Sequence, residues 1–292
     1  DPHRRSLEQC DPQTVVVVSG LPRVSLLRLS MLAAVAMLVA SWVFVLGWDR
    51  QQGTAFFSTE TARRILGFIG DLAGQGLARE PAYSELSEWS RTARLAYDTL
   101  TMSVLAIMIS AFGALATFML GARNVAMRGG PVARGGFLAV RASWAFVRAV
   151  PELVWALLAV FVFSPGILPG AAALAIHNYG VLGKLASEVV EGMDMRPIDA
   201  LRTAGAGRTK ALAYGVLPQV LPRFMTYLLY RWEVVIRTTI VVGFVAAGGL
   251  GMEFRLAMSN FHYSTVSLLL MWYLILVLGV DIASSQLRRI AR

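Results

Sequence analysis

The sequence predicts an all-α integral membrane protein with about six transmembrane helices. Of its 292 residues, 56% are hydrophobic and only 15% charged, with a mean hydropathy of +0.59. Soluble domains carry about a quarter charged residues. Five stretches contain no Asp, Glu, Lys or Arg: Leu29–Trp48, Thr99–Ala122, Leu153–Gly183, Thr238–Met252 and Leu256–Val280. A helix needs about 20 mostly apolar residues to cross the hydrocarbon core. The stretches are continuous rather than alternating, which selects helices over a barrel.

The first span is placed at 25–48. It lacks a small-residue cleavage site, so it reads as a retained helix rather than a signal peptide. Residues 49–95 follow as a long connection in which Ile65, Leu66, Ile69 and Leu72 line one helical face. That pattern suits either a helix lying in the membrane interface or one packed on the bundle. The second span is expected at 97–121 and the third at 136–163. The 31-residue uncharged stretch 153–183 is too long for one crossing, and Pro165-Gly166 and Pro169-Gly170 divide it, so the fourth span starts at 167 and ends at 187. The fifth and sixth fall at 220–245 and 264–286. Three segments result: 1–24, 25–96 with the first helix and the amphipathic helix, and 97–292 with five helices and a long polar loop at 188–218.

Basic residues orient these spans. The N-terminus, the connection 121–136, the loop after the fourth span and the C-terminal tail are all rich in Arg and Lys. With six spans all four fall on one side, which the positive-inside rule assigns to the cytoplasm. The six Arg of residues 49–95 then lie outside, against the trend. The net charge of +9 is explained by these loops, and no nucleic acid is expected. Cys10 is the single cysteine, so neither an internal disulfide nor a cysteine metal site is possible.

Within the long loop, residues 198–218 read IDALRTAGAGRTKALAYGVLP. Ile198–Ala204 can form a short helix, Gly205 can supply a left-handed stop, and a second helix can begin after Ala206 and Gly207. Leu217-Pro218 and Pro222 then lead into the next span. A helix-turn-helix on the polar face of a membrane protein has the shape of a docking element. This loop resembles the signature of ATP-binding-cassette importer permeases, which reads Glu-Ala-Ala, three residues, Gly, nine residues, Ile, one residue, Leu-Pro. Asp199-Ala200-Leu201, Gly205 and Leu217-Pro218 stand in that register, with Gly215 in place of the Ile. RAVPELVWALL (148–158), YRWEVVIR (230–237) and GFVAAGGLG (243–251) resemble the permeases of phosphonate and phosphite importers, and the similarity spans about residues 97–290.

The resemblance implies a type I importer permease fold, with the loop as the coupling element for an ATPase. It implies two ATPase subunits, a substrate-binding protein and a second permease, expected to be another copy of this chain, in a bacterial inner membrane with both termini cytoplasmic. ATP and magnesium would be bound by the ATPase. The sequence agrees on one point independently: it contains no G-x-x-x-x-G-K-[ST] phosphate loop and no recognisable catalytic constellation. A stand-alone anion transporter is the rival class, and the same machine with phosphate or an amino acid as cargo is the nearer one.

Ionisable residues inside a span are expensive and therefore candidates for function. Arg148 and Glu152 are four apart in the third span, and Glu233 and Arg237 four apart in the fifth. Each couple reads as an ion pair within one helix or as part of an anion path. Arg231 points about 160° away from Glu233 at about 100° per residue, with no acid partner in its helix. A guanidinium fork matches an oxyanion in bidentate geometry. Gly248-Gly249-Leu250-Gly251 reads as close helix packing or a flexible gate, not a phosphate cradle.

Overall fold

A computed structural model describes residues 26–48, 58–75, 80–127 and 130–290. The chain divides into two compact units, Asp1–Gly67 and Phe68–Arg292. In the first, α1 (Leu26–Trp48) is a single helix whose described side chains are all exposed. Its described side chains present an apolar surface that suits a helix in contact with lipid. Helix α2 (Thr59–Leu72) begins in this unit and ends in the second.

The second unit is a helical bundle. In order come α3 (Leu86–Gly121), the short α4 (Arg123–Ala126), α5 (Pro131–Ala149), α6 (Glu152–Val162) and α7 (Ile167–Glu191). After them come α8 (Arg196–Thr203), α9 (Arg208–Ala211), α10 (Leu217–Val242), α11 (Gly249–Ser259) and α12 (Tyr263–Ile290). Single π-helical turns at Leu212–Val216 and Gly243–Ala247 flank α10. By length and composition α1, α3 and α12 are long and apolar enough to cross a membrane, and two bent pairs, α5 with α6 and α10 with α11, extend the set to five. Helix α7 completes six. It has 25 residues, about 37 Å at 1.5 Å per residue. It is less apolar because it is the inner helix, buried through Ala171, Ala175, Gly180, Gly183 and Ala186 rather than facing lipid.

Two expectations change, and a third is narrowed to one of its alternatives. Helix α3 starts at Leu86, eleven residues before the predicted 97, so its first turns extend beyond the apolar core. The third span is not one rod: α5 and α6 meet at 90° across Val150-Pro151, because Pro151 withdraws an amide proton and both residues adopt extended backbone. The Gly-rich run after α10 opens a further helix, α11. There Gly248 (φ +90) and Gly249 (φ +64) occupy the left-handed region, and a Cβ on Gly251 would lie 2.1 Å from the Ile240 carbonyl oxygen. The Leu250 amide donates to Thr99 Oγ1 at 2.9 Å. The run is thus a close-packing device binding α11 to α3 and α10.

Two hydrophobic clusters hold the unit. The larger joins α3, α7 and α10 through Met102, Phe118, Leu174, Leu182, Val220 and Phe224. The smaller lies where α3 begins, around Ala96, Leu250, Val266 and Leu269, and takes in Leu72 of α2. Ser267 Oγ donates to the Leu72 carbonyl at 2.6 Å, and Phe68 meets Tyr263 edge-on. The last turn of α2 therefore packs on the bundle, while Ile69 stays exposed. Trp144 of α5, 2% exposed, is the largest fully buried side chain. A Cβ on Gly121 of α3 would lie 2.0 Å from its ring, and one on Gly183 of α7 2.4 Å. One indole thus fills a socket that only glycines on two helices can provide.

Candidate functional site

Two polar regions interrupt the apolar bundle. The first is the loop between α7 and α10. Helix α8 stops in a Schellman arrangement: the Gly205 amide donates to the Arg202 carbonyl at 3.0 Å and the Ala206 amide to the Leu201 carbonyl at 2.9 Å. Gly205 sits at φ +84 with open space around it, so backbone conformation, not crowding, requires glycine there. A Cβ on Gly207 would also meet nothing, and its φ makes no such demand. Asp199, Ala200, Arg202 and Lys210 are exposed, and the Arg196 side chain is 92% exposed, giving the knob a basic outer surface.

The underside of the knob is apolar. Ile198 is 1% exposed and belongs to the large core cluster, with Leu201 half-buried beside it. Both lie against the π-turn that carries Gly215, where a Cβ would be 2.9 Å from Ile198 Cγ1 and 3.3 Å from Leu201 Cδ1. The glycine that departs from the signature thus leaves the volume that Ile198 fills from the opposite side. Leu217 and Pro218 open α10, and Gln219 Nε2 donates to the Gly215 carbonyl, bracing the π-turn. Sequence reasoning missed Ile198. An isoleucine one residue before an otherwise polar segment was the available signal.

The second region is a charged layer across α5, α6, α7, α10 and α12. Neither pairing expected from sequence forms. Arg148 is exposed on the last turn of α5, and the break at Val150-Pro151 carries Glu152 onto another helix. Glu152 instead lies 3.4 Å from His177 Nε2 of α7, whose Nδ1 is 3.1 Å from the Val150 carbonyl. Glu233 and Arg237, though one turn apart, both reach α12. Glu233 accepts from Arg288 Nη1 at 2.5 Å and from Ser284 Oγ. Arg237 Nη2 donates to both oxygens of Asp281, at 3.1 and 3.0 Å. Cross-helix partners win because each satisfies the charge and ties two helices at once.

Arg231 faces the other way. Its Nε donates to Asn178 Oδ1 at 2.5 Å. Asn178 is fully buried and donates its own amide to the Leu174 carbonyl at 2.7 Å. A cavity of about 390 Å³ opens between α6, α7 and α10, lined by Glu152, Leu153, His177, Thr238, Val241 and Val242. Beyond the layer, where α3 projects, Arg91 bridges Glu253 of α11 at 2.8 Å and Glu88 at 3.0 Å. Among the described residues no group of His, Cys, Asp and Glu could hold a metal ion.

Comparison with known proteins draws these features together. Residues 135–290 match the family described as binding-protein-dependent transport system inner membrane component. The chain is 34% identical over 261 residues to the phosphite transport system permease protein PtxC of Stutzerimonas stutzeri, covering 84% of this chain and 91% of that one. It is 33% identical over 205 residues to the phosphate-import permease protein PhnE of Mycolicibacterium smegmatis, covering 70% of this chain and 38% of that one. The fold is similar to that of the MetNI methionine ABC transporter in an inward-facing conformation, with TM-score 0.60 and 18% identity over 69% of this chain and 96% of the other.

Proposed function

The chain belongs to the binding-protein-dependent inner-membrane transport components, and from that premise we propose that it is the permease of an ATP-driven importer for phosphite, a phosphonate or a related oxyanion. It is a multi-pass membrane subunit rather than a catalytic one. The observation that carries the cargo reading is the 34% identity with a phosphite permease along nearly the full length of both chains. Phosphate is the second reading, favoured by the match to a phosphate-import permease.

In this reading two copies of the chain pair in the membrane with both termini cytoplasmic, and each copy engages one ATPase subunit through α8. Asp199, Ala200, Leu201 and Gly205–Gly207 form the contact, and Leu217-Pro218 carries the motion into α10. Ile198 is the mechanical link, since it is seated in the same cluster as Val220 and Phe224 of α10 and Val190 of α7. A push on the knob therefore moves packed helices, not a loose loop. ATP and magnesium belong to the ATPase. The anion path runs beside α5, α7 and α10, where Arg148 and Arg231 lack carboxylate partners within ion-pair distance among the described residues. Glu152, Glu233 and Arg237 are held by partners and serve the frame of the path.

The test is ATP hydrolysis by the complex in lipid vesicles, with its binding protein and a panel of phosphite, methylphosphonate, phosphate, sulfate and methionine. Stimulation by phosphite or methylphosphonate is expected. Stimulation by phosphate alone selects the second reading, and stimulation by methionine alone overturns both.

A further inference from the structure

The cations of the bundle differ in what neutralises them. Arg141 lies 2.5 Å from Glu191, Lys184 3.4 Å from Glu188, Arg237 3.0 Å from Asp281 and Arg288 2.5 Å from Glu233. Arg231 is tethered by a neutral amide instead. The tether is specific. Asn178 donates its NH2 to the Leu174 carbonyl, which fixes its oxygen toward Arg231 Nε. Only Nε is engaged, and among the described residues neither Nη has an acceptor. The guanidinium is thus oriented by one edge while its fork stays open.

Glu152 is the carboxylate that α6 brings to the same turn of α7. His177, adjacent to Asn178 on α7, stands 3.4 Å from that carboxylate. One turn of α7 therefore carries both the amide that holds the guanidinium and the imidazole that faces a carboxylate. A partly buried charge without a counter-ion is costly inside a membrane. Such a charge persists when something mobile neutralises it in turn.

We infer that Arg231, positioned by Asn178, is a transient oxyanion station within the membrane, binding one phosphite or phosphonate group through its free Nη pair. This deepens, and rests on, the oxyanion-importer reading above. Two parallel N–H···O bonds give the fork its match to a tetrahedral oxyanion. A single cation with a carboxylate nearby binds weakly, so the anion leaves again. Asn178 is a positioning residue here: its neutrality, rather than its hydrogen bond alone, keeps the station open.

Asn178→Asp separates this from a purely structural tether. The substitution is nearly isosteric and turns the hydrogen bond into an ion pair. A structural tether would be kept or strengthened, and uptake would be unchanged. A station would be filled by its own protein. The measurement is uptake of labelled phosphite and methylphosphonate into vesicles carrying the whole complex, beside size-exclusion analysis of assembly with the ATPase. Uptake is expected to fall about tenfold or more, the scale of a lost charged hydrogen bond, with assembly intact. If Asn178→Asp does not assemble, Arg231→Gln is read the same way: uncharged, it can still bond Asn178, and uptake equal to wild type overturns the station. Wild-type uptake of neither probe overturns the phosphite and phosphonate reading, and with it the station proposed for those groups. Wild-type uptake matched by Asn178→Asp overturns the station alone.

Discussion

Helix α10 carries charge on two faces, and the faces are treated differently. Toward α12, Glu233 and Arg237 are each met by an opposite charge, with Ser284 adding a second donor to Glu233. Toward α7, the one hydrogen bond of the Arg231 side chain among the described residues is to the amide oxygen of Asn178. The two faces lie within two residues of one another on the same helix, so depth in the membrane does not explain the contrast. A charge meant to hold helices together is neutralised within the protein, because an unpaired one opposes folding. A charge meant to meet a passing anion is oriented and left unneutralised. On the proposed reading, α12 serves structure and the α7 side serves transport.

The largest effect tests the structural face. Glu233→Ala leaves Arg288 partly buried without its carboxylate, at a cost of about 3–5 kcal/mol. Little assembled permease should be recovered, and what is recovered should melt early in a thermal unfolding series. Near-normal yield and melting would show that the α10–α12 ladder contributes little to the bundle. Arg231→Ala is the counterpart on the other face. It should lower phosphite uptake about tenfold or more while assembly and melting stay at wild type. Failure to assemble would move Arg231 to the structural side and erase the contrast.

A smaller effect tests whether the knob is independent of the layer. Gly205→Val forces a β-branched residue into the left-handed region, at a local cost of about 1–3 kcal/mol. The spans should still fold, since a Cβ at Gly205 meets nothing within 4 Å. ATPase association, read by co-purification, should weaken strongly. Normal association would mean that α8 is not the docking contact. Gly215→Ile, by contrast, drives a side chain into Ile198 and should disturb both docking and the core.

Much of this contrast was legible in the sequence, for a geometric reason. Helical periodicity put Arg231 about 160° from Glu233 at about 100° per residue, so opposite faces followed from spacing alone. The Schellman stop at Gly205 was legible too, because few residues tolerate φ +84. Partners across helices were not, since they depend on which helices pack and at what rotation. The same cost argument applied to residues 264–286 would have flagged Asp281, the single acid of that span. Trp144 and its glycines depend on tertiary packing that no local pattern encodes, whereas Pro151 was a local signal for a break, though not for its 90° angle.

The smallest effect sharpens the comparison most. Ser284 is fully buried and donates to Glu233, which keeps its ion pair with Arg288 when the hydroxyl is removed. Hydrogen bonds between helices in membranes average about 0.6 kcal/mol in double-mutant cycles, because the membrane-inserted unfolded state also finds partners. Ser284→Ala should therefore shift melting only slightly and leave uptake at wild type. The result matters because it separates burial from function. Ser284 and Asn178 are both fully buried, and both hydrogen-bond a charged residue of α10. If burial of a polar tether were what mattered, altering either should affect transport alike. If compensation is what matters, only Asn178→Asp should affect it, because only there does the substitution neutralise a charge that the fold leaves open. Equal losses of uptake at both positions, with assembly intact, would place α12 on the anion path and end the distinction between the two faces.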